Sequence, residues 1–480
     1  MKPLPLTPYH LFAYRGNPYV FDIETSAVLK LDAPAYDALA LRRSGMATET
    51  IAATLARDYD ETTARTVLGE LHWLEQRGLF RTPVRTYDDA ENEAYIQQLT
   101  RMGTNKIELY LAEACNLRCR YCYVNANDAL NHGLMSWDIG RQAIDFVFKR
   151  AGSADSVNIT FFGGEPLLNK PVLKQAIAYS QQLGAEQGKT VGYSMTTNAT
   201  LLDDEIIDLI KRYNFGLMIS LDGPQETHDA MRPFADGGGS FETATRNIKR
   251  LMARRRAVTV RCTLSNLDLD RPKIVQFLEE FGFARVAMSR CTGTVDGLGP
   301  YDIGPEENAV LRAQDDYFVE RLFDQLARGE RIKFNPWATV VRTIHDQQNR
   351  RMRCGVGRGC TTVSIDGRLY PCHRYVGMDK YVLGHVTTGV DQAAFADYLR
   401  GYFSTKSKCE TCWAINLCGG YCPWYVSGND GVFAEPEEWW CDEIRQWYEM
   451  GIWMYDTLRS DYPDYWRQLV GAEAPEPLLR

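Results

Sequence analysis

Apolar side chains change their spacing twice along this chain. Near the start, Tyr9-His10-Leu11-Phe12-Ala13-Tyr14 and Tyr19-Val20-Phe21-Asp22-Ile23 are short, aromatic and β-branched, and Gly16-Asn17-Pro18 between them signals a turn. Helix-period stretches follow over 33–44, 48–58 and about 62–77. In the last of these Val67, Leu68, Leu71 and Leu74 form one apolar stripe, and Gly78-Leu79-Phe80 supplies a stop. Residues 86–104 are polar and acidic, as a linker with some helix would be. From 105 the pattern alternates. Strand-like runs at 106–111, 156–162, 191–196, 215–221, 257–264 and 283–290 enclose helix-period runs at 137–150, 171–183, 203–213, 241–254 and 271–281. Such alternation predicts an α/β fold with a parallel sheet and helical crossovers.

Composition narrows the function classes. Among 480 residues, 45% are hydrophobic and 24% charged, ordinary values for a globular chain with length for about three domains. The net charge of −8 is scattered, which argues against nucleic acid or an anionic membrane as a partner. No apolar run approaches the roughly 18 residues a membrane helix needs. The start, Met-Lys-Pro-Leu-Pro-Leu-Thr-Pro, lacks an apolar stretch of signal-peptide length, so a cytoplasmic protein is expected. Thirteen cysteines, mostly clustered, favour metal ligation over disulfides. Cys262 and Cys291 stand apart in strand-like stretches, where buried apolar packing is expected.

The first cluster is Cys115-Asn116-Leu117-Arg118-Cys119-Arg120-Tyr121-Cys122. Three thiolates on one short loop suit three irons of a [4Fe–4S] cube and leave the fourth iron open, whereas structural zinc wants four ligands. Further on, Asn158-Ile159-Thr160-Phe161-Phe162 runs into Gly163-Gly164-Glu165-Pro166, where two glycines permit close backbone approach and Glu165 can accept from an ammonium. Thr196-Thr197-Asn198-Ala199-Thr200 follows the third strand, Ser220-Leu221-Asp222-Gly223 the fourth, and His228-Asp229-Ala230-Met231-Arg232 comes next. Near the end, Cys354, Cys360 and Cys372 precede Cys409, Cys412, Cys418, Cys422 and Cys441. These make two sets of four.

These motifs resemble the radical S-adenosylmethionine (SAM) superfamily. The resemblance implies a partial (β/α)6 barrel over 105–335 with its chemistry at the C-terminal strand ends. It implies a SAM-binding [4Fe–4S] cluster on Cys115, Cys119 and Cys122, whose electron cleaves SAM to methionine and a 5′-deoxyadenosyl radical. Gly163, Gly164 and Glu165 would hold the SAM amino group, Asn198 and Ser220 its ribose and carboxylate, and Tyr121 its adenine. Arg232 would pair with a carboxylate of SAM or substrate, with a surface ion pair as the competing reading. Asp222 is either catalytic or a turn-capping carboxylate.

The later cysteines resemble the SPASM domain, expected over 336–445 with a helical tail at 446–480. That resemblance implies two auxiliary [4Fe–4S] clusters, three clusters in all. Cys354, Cys360, Cys372 and Cys422 would bind one, and Cys409, Cys412, Cys418 and Cys441 the other; zinc ribbons are the alternative. Residues 1–85 resemble a winged-helix peptide-recognition element, in which a leader peptide adds a strand to a sheet edge. A DNA-binding winged helix is disfavoured because no helix there is basic.

Together the three parts are similar to enzymes that modify ribosomally made peptides. The nearest resemblance is to the thioether-forming maturases of quinohemoprotein amine dehydrogenase, which join Cys sulfur to Asp or Glu side-chain carbons of a small subunit. The expected partners are such a Cys-containing polypeptide with its leader and an electron donor such as flavodoxin or ferredoxin. Anaerobic sulfatase maturases, which oxidise Cys or Ser to formylglycine, are the main rival, and an iron–sulfur peptide-binding scaffold is the non-enzymatic one. Sulfatase maturases carry an Asp base after the Cys of the first auxiliary set. Here His373 follows Cys372, either as a catalytic base or as a hydrogen-bonding neighbour of the cluster.

Overall fold

Three strands open the chain: β1 (Tyr9–Tyr14), β2 (Asn17–Asp22) and β3 (Val28–Lys30), joined as one antiparallel sheet in that order. Tyr14 pairs with Asn17, so the hairpin turns on Arg15-Gly16, and Asn17 and Pro18, expected in the turn, instead begin β2. The computed structural model describes residues 8–81, 89–123, 133–255, 257–294, 296–348, 350–356, 360–428 and 430–471. The first seven residues, linker positions 86–88, the last nine residues of the expected tail and the Cys360 side chain lie outside the described residues.

Side chains alternate across these strands, and both faces are covered. Tyr9, Leu11 and Val20 form a small core with α1 (Ala33–Arg43), α2 (Thr48–Asp58) and α3 (Glu61–Gln76). Asp32 and Asp60 cap α1 and α3, accepting from Ala35 N at 2.9 Å and Thr63 N at 2.8 Å. On the other face Phe12, Tyr19, Phe21 and Ile23 join the main core. There the long helix Glu438–Asp461 lies against β1 and β3. His10 stacks on Trp413 with centroids 3.9 Å apart and its Nε2 donates to Glu449 Oε1 at 2.8 Å, and Asn416 Nδ2 donates to the Ile23 carbonyl at 2.7 Å.

After α4 (Asp89–Arg101) the alternating region begins: β4 (Lys106–Ala112), α5 (Trp137–Arg150), β5 (Ser156–Gly163), α6 (Lys170–Gln187), β6 (Thr190–Thr197), α7 (Asp204–Arg212) and β7 (Gly216–Ser220). It continues with α8 (Gln225–Met231), α9 (Phe241–Arg254), β8 (Thr259–Leu264), α10 (Arg271–Phe281) and β9 (Arg285–Arg290). β4 to β9 are parallel and adjacent in chain order, as helical crossovers require. At the β4 edge the sheet continues: β10 (Cys360–Val363) adds in parallel, and β11 (Leu369–Tyr370) returns antiparallel. The cysteine-rich region is thereby built into the barrel sheet.

The strands carry two kinds of face. In β5, Val157, Ile159 and Phe161 are buried under the helices, while Thr160 and Phe162 are only half-buried; in β8, Val260, Cys262 and Leu264 alternate with Arg261 and Thr263 in the same way. The half-buried set faces a cavity at the C-terminal strand ends. No described helix is long and apolar enough to cross a membrane.

Phe21 is fully buried where the N-terminal sheet meets the main core. Phe21→Ala should cost about 3–5 kcal/mol. Limited proteolysis should then release the first 80 or so residues faster than from the unaltered chain.

Candidate active site at the strand ends

The cysteine loop after β4 and the glycine loop after β5 are fastened to each other by backbone. Gly164 N donates to the Ala112 carbonyl at 2.7 Å, and Glu165 N to that of Ala114 at 3.1 Å. A Cβ on Gly163, whose φ is +141°, would lie 2.3 Å from the Ala112 oxygen, and one on Gly164 2.3 Å from the Ala114 oxygen. Only glycine allows this approach. Glu165 is fully buried: Oε1 accepts from Thr197 Oγ1 at 2.7 Å and Leu167 N at 3.0 Å, and Oε2 from Asn198 N at 2.8 Å. Burial still pushes its carboxyl up to about 7 against those hydrogen bonds.

Arg232 and Asp222 tie three more strand ends together. Arg232 Nε and Nη2 reach the two carboxylate oxygens at 2.8 and 3.1 Å. Asp222 also accepts from the Tyr121 hydroxyl and, at 2.9 Å, from Thr263 N. Arg232 Nη1 lies 3.9 Å from Cys119 Sγ. His228 is held neutral, its pKa lowered to about 4 chiefly by burial; its Nδ1 accepts from Asp222 N, and its Nε2 meets Ser240 Oγ at 3.0 Å. One expectation is corrected here: Arg232 is buried, paired with Asp222, rather than part of a surface ion pair. Asp222 has both oxygens engaged and its carboxyl held low by Arg232 despite burial, so in this arrangement it positions its neighbours.

The cavity over these loops has a volume of about 1070 Å³. Its wall includes Cys115, Cys119, Tyr121, Cys122, Gly163, Gly164, Glu165, Asn198, Ser220 and Arg232 together with His373 from the C-terminal region. Asn198 Nδ2 donates to Asn116 Oδ1 at 3.0 Å and stands 3.9 Å from Cys115 Sγ. His373 stacks on Phe162 with centroids 4.2 Å apart, and its Nδ1 lies 3.1 Å from Glu108 Oε1, which also accepts from Thr362 Oγ1 at 2.9 Å.

Sequence reasoning missed Glu108, Arg261 and Arg374 in this wall. The available signal was a charged residue at an inward position of an otherwise apolar strand, as in Lys-Ile-Glu-Leu-Tyr-Leu-Ala. Cys262 is buried as expected, but Cys291 lines the cavity, its thiol donating to Asp302 Oδ1 at 2.9 Å.

The other cysteines fall into groups. Burial and then Cys418 push the Cys409 thiol up to about 12, with Cys412 and Cys441 adding. Cys372 is pushed up by burial, with Cys422 adding. Cys354 is exposed. Among the described residues, no group of three or more His, Cys, Asp or Glu is close enough together to hold a single metal ion.

Residues 109–278 match the family model described as the radical SAM superfamily. That segment is a radical SAM domain. The chain is 26% identical over 355 residues to a cysteine-type anaerobic sulfatase-maturating enzyme of Clostridium perfringens, spanning 70% of this chain and 93% of that protein. It is 24% identical over 344 residues to a serine-type anaerobic sulfatase-maturating enzyme of Klebsiella aerogenes, spanning 67% of this chain and 80% of that one. The solved structure of native anSMEcpe with bound AdoMet and Kp18Cys peptide superposes with a TM-score of 0.63 at 19% identity, over 74% of this chain and 99% of that one, a likeness of fold.

A radical SAM domain implies SAM and a [4Fe–4S] cluster, and the charges around the cysteines fit anionic sulfur. Arg232 is buried beside Cys119. Lys406, also buried, is lowered to about 7 by desolvation, while Cys409 and Cys418 act to raise it. The exposed Arg353 places Nη1 3.8 Å from Cys418 Sγ. Buried cations such as Arg232 and Lys406 are stable beside negative charge, which iron-bound thiolates supply.

In Gly164→Ala the new Cβ meets backbone, not a movable side chain. The loops should separate, weakening SAM binding by the anaerobically reconstituted protein at least about tenfold, as isothermal titration would show.

Proposed function

We propose that this chain is a radical SAM enzyme that oxidises a side chain of a peptide bound in the cavity between the barrel and the cysteine-rich region. The observation that carries the reading is that cavity: one continuous wall runs from Cys115, Cys119, Cys122 and Glu165 to His373, Arg374 and Trp424. Its volume of about 1070 Å³ is at the upper end for a small-molecule site, leaving room for a second reactant beside SAM. Cys115, Cys119 and Cys122 would hold the cluster, and Glu165 the SAM ammonium. The two later sets, Cys354, Cys360, Cys372 and Cys422, and Cys409, Cys412, Cys418 and Cys441, would hold auxiliary clusters. When bound, cluster and SAM supply a carbon radical that takes a hydrogen atom from substrate. The chain's own part is to aim the substrate, accept its proton and hold the auxiliary sets, which would take the electron left on the substrate. Glu108 fixes one ring nitrogen of His373, and Phe162 fixes the ring plane, leaving the other nitrogen for a substrate proton.

Both named relatives are sulfatase-maturating enzymes, which supports oxidation of a Cys or Ser residue to an aldehyde as the first reading. The N-terminal unit favours a second one. The Clostridium relative is spanned almost entirely, yet 30% of this chain (100 − 70) has no counterpart in that match. Among the described residues the outer edge of β3 pairs with no strand. That open edge, which a leader peptide could extend, and a His in place of the sulfatase-type Asp support thioether formation between Cys sulfur and a side-chain carbon. The small subunit of quinohemoprotein amine dehydrogenase is then the candidate substrate, and a flavodoxin or ferredoxin the electron donor.

The reading is tested by anaerobic reconstitution. About twelve irons per chain are expected for three four-iron clusters, with reductant-dependent 5′-deoxyadenosine; iron without SAM cleavage would leave a scaffold. Peptide products separate the two oxidations, since an aldehyde reacts with hydrazide and a crosslinked Cys resists alkylation. Glu165→Gln keeps the side chain's shape but loses its charge, and should weaken SAM binding about 10–100-fold. His373→Asn should lower the yield of modified peptide per deoxyadenosine by a factor on the order of 10² or more, read by mass spectrometry.

A further inference from the structure

Arg261 is a cation in the middle of β8, on the half-buried face that lines the cavity, where its neighbours Val260 and Cys262 are buried on the other side. Its guanidinium makes no ion pair among the described residues, and the hydrogen bond it does make is a weak one from Nη1 to the Met218 thioether, 4.0 Å away. Burial lowers its pKa, and the next influence in the same direction is the charge of Arg374. Arg374 enters the cavity from the opposite wall, on the turn after Cys372 and His373. The faces of Tyr123 and Tyr425 lie 5.0 and 5.2 Å from its guanidinium carbon.

Aromatic faces and nearby sulfur satisfy part of Arg374's charge, Cys422 and Cys372 acting in its favour. They do not use its in-plane N–H donors, and none of those has a hydrogen-bond partner among the described residues. The cavity's acids are engaged elsewhere: Glu108 with His373 and Thr362, Glu165 with Thr197 and Asn198, Asp302 with Cys291 and the Gly299 N–H, and the exposed Asp296 with the Thr294 hydroxyl. Two like charges therefore converge on one enclosed volume with free donors on both. Burying a charge without a partner is unfavourable, and a planar guanidinium matches a carboxylate.

We propose that Arg261 and Arg374 form a carboxylate clamp for an acidic side chain, Asp or Glu, of the peptide substrate. This rests on the reading of the cavity as a peptide-oxidising site and adds to it the chemistry of a residue the peptide must carry. SAM also has a carboxylate. The peptide is favoured because Arg374 is carried by the cysteine-rich region among Tyr123, Trp424 and Tyr425, whereas Glu165 is held within the barrel by Thr197, Leu167 and Asn198.

The test uses the full chain, reconstituted anaerobically with iron and sulfide and saturated with SAM. It is offered an equimolar pool of eleven-residue peptides with a central Cys and randomised flanks, and retained peptides are sequenced by mass spectrometry. Asp and Glu should be enriched over Asn and Gln by about tenfold or more at one flanking position. R261Q and R374Q should each reduce that enrichment, R261Q with R374Q should abolish it, and R261K with R374K should keep most of it. No acidic enrichment with the unaltered chain overturns the clamp. So does enrichment that survives in the double Gln variant, or a double Gln variant that weakens SAM binding while acidic peptides are retained as before. Deoxyadenosine formed by the unaltered chain on the same samples tests the enzyme reading separately, because retention needs no turnover.

Discussion

The site depends on one buried ion pair. Arg232, in the cavity wall, and Asp222 are both buried, so their attraction is poorly screened, and Arg232 meets both carboxylate oxygens. The pair reaches the loop after β4 through Tyr121 and Cys119, and β8 through the Thr263 N–H, while Asp222 itself follows β7. Removing one member would leave a bare charge under the cysteine loop. The motif residues around it hold one another's geometry through these contacts.

A second constraint works at the level of backbone. Gly163 and Gly164 let β5's exit lie against Ala112 and Ala114 at distances no side chain tolerates. Glu165 is consequently fixed by three donors in a dry pocket whose burial resists its charge. A nearby cation would relieve that penalty.

Much of this was legible in the chain. Helices α5, α9 and α10 begin and end where their periodicity predicts, α5 and α10 behind Ser136 and Asp270 caps, because local rules decide such boundaries. The parallel sheet follows from the alternation of periods. What was not legible is what distance in sequence hides. Nothing near Cys360 announces that β10 will pair with Lys106 and its neighbours in β4. That pairing brings His373 to Glu108 and Phe162. Arg232 looks like a surface cation until Asp222, ten residues earlier, is folded against it. Arg374 is silent for the same reason, and although Arg261 is marked as a charge inside an apolar strand, only the folded sheet shows that the two line one volume.

The His10–Trp413 stack has a consequence of its own. Trp413 follows Cys412 directly, and Asn416 in the same loop donates to the Ile23 carbonyl, so the N-terminal sheet forms an outer wall of the Cys412–Cys418 loop. Water's access to those sulfurs is thus governed partly by that sheet. Were the loop to hold the proposed auxiliary cluster, whose potential would depend on solvent exposure, trimming the first eighty residues to simplify expression would be an electrochemical change as well.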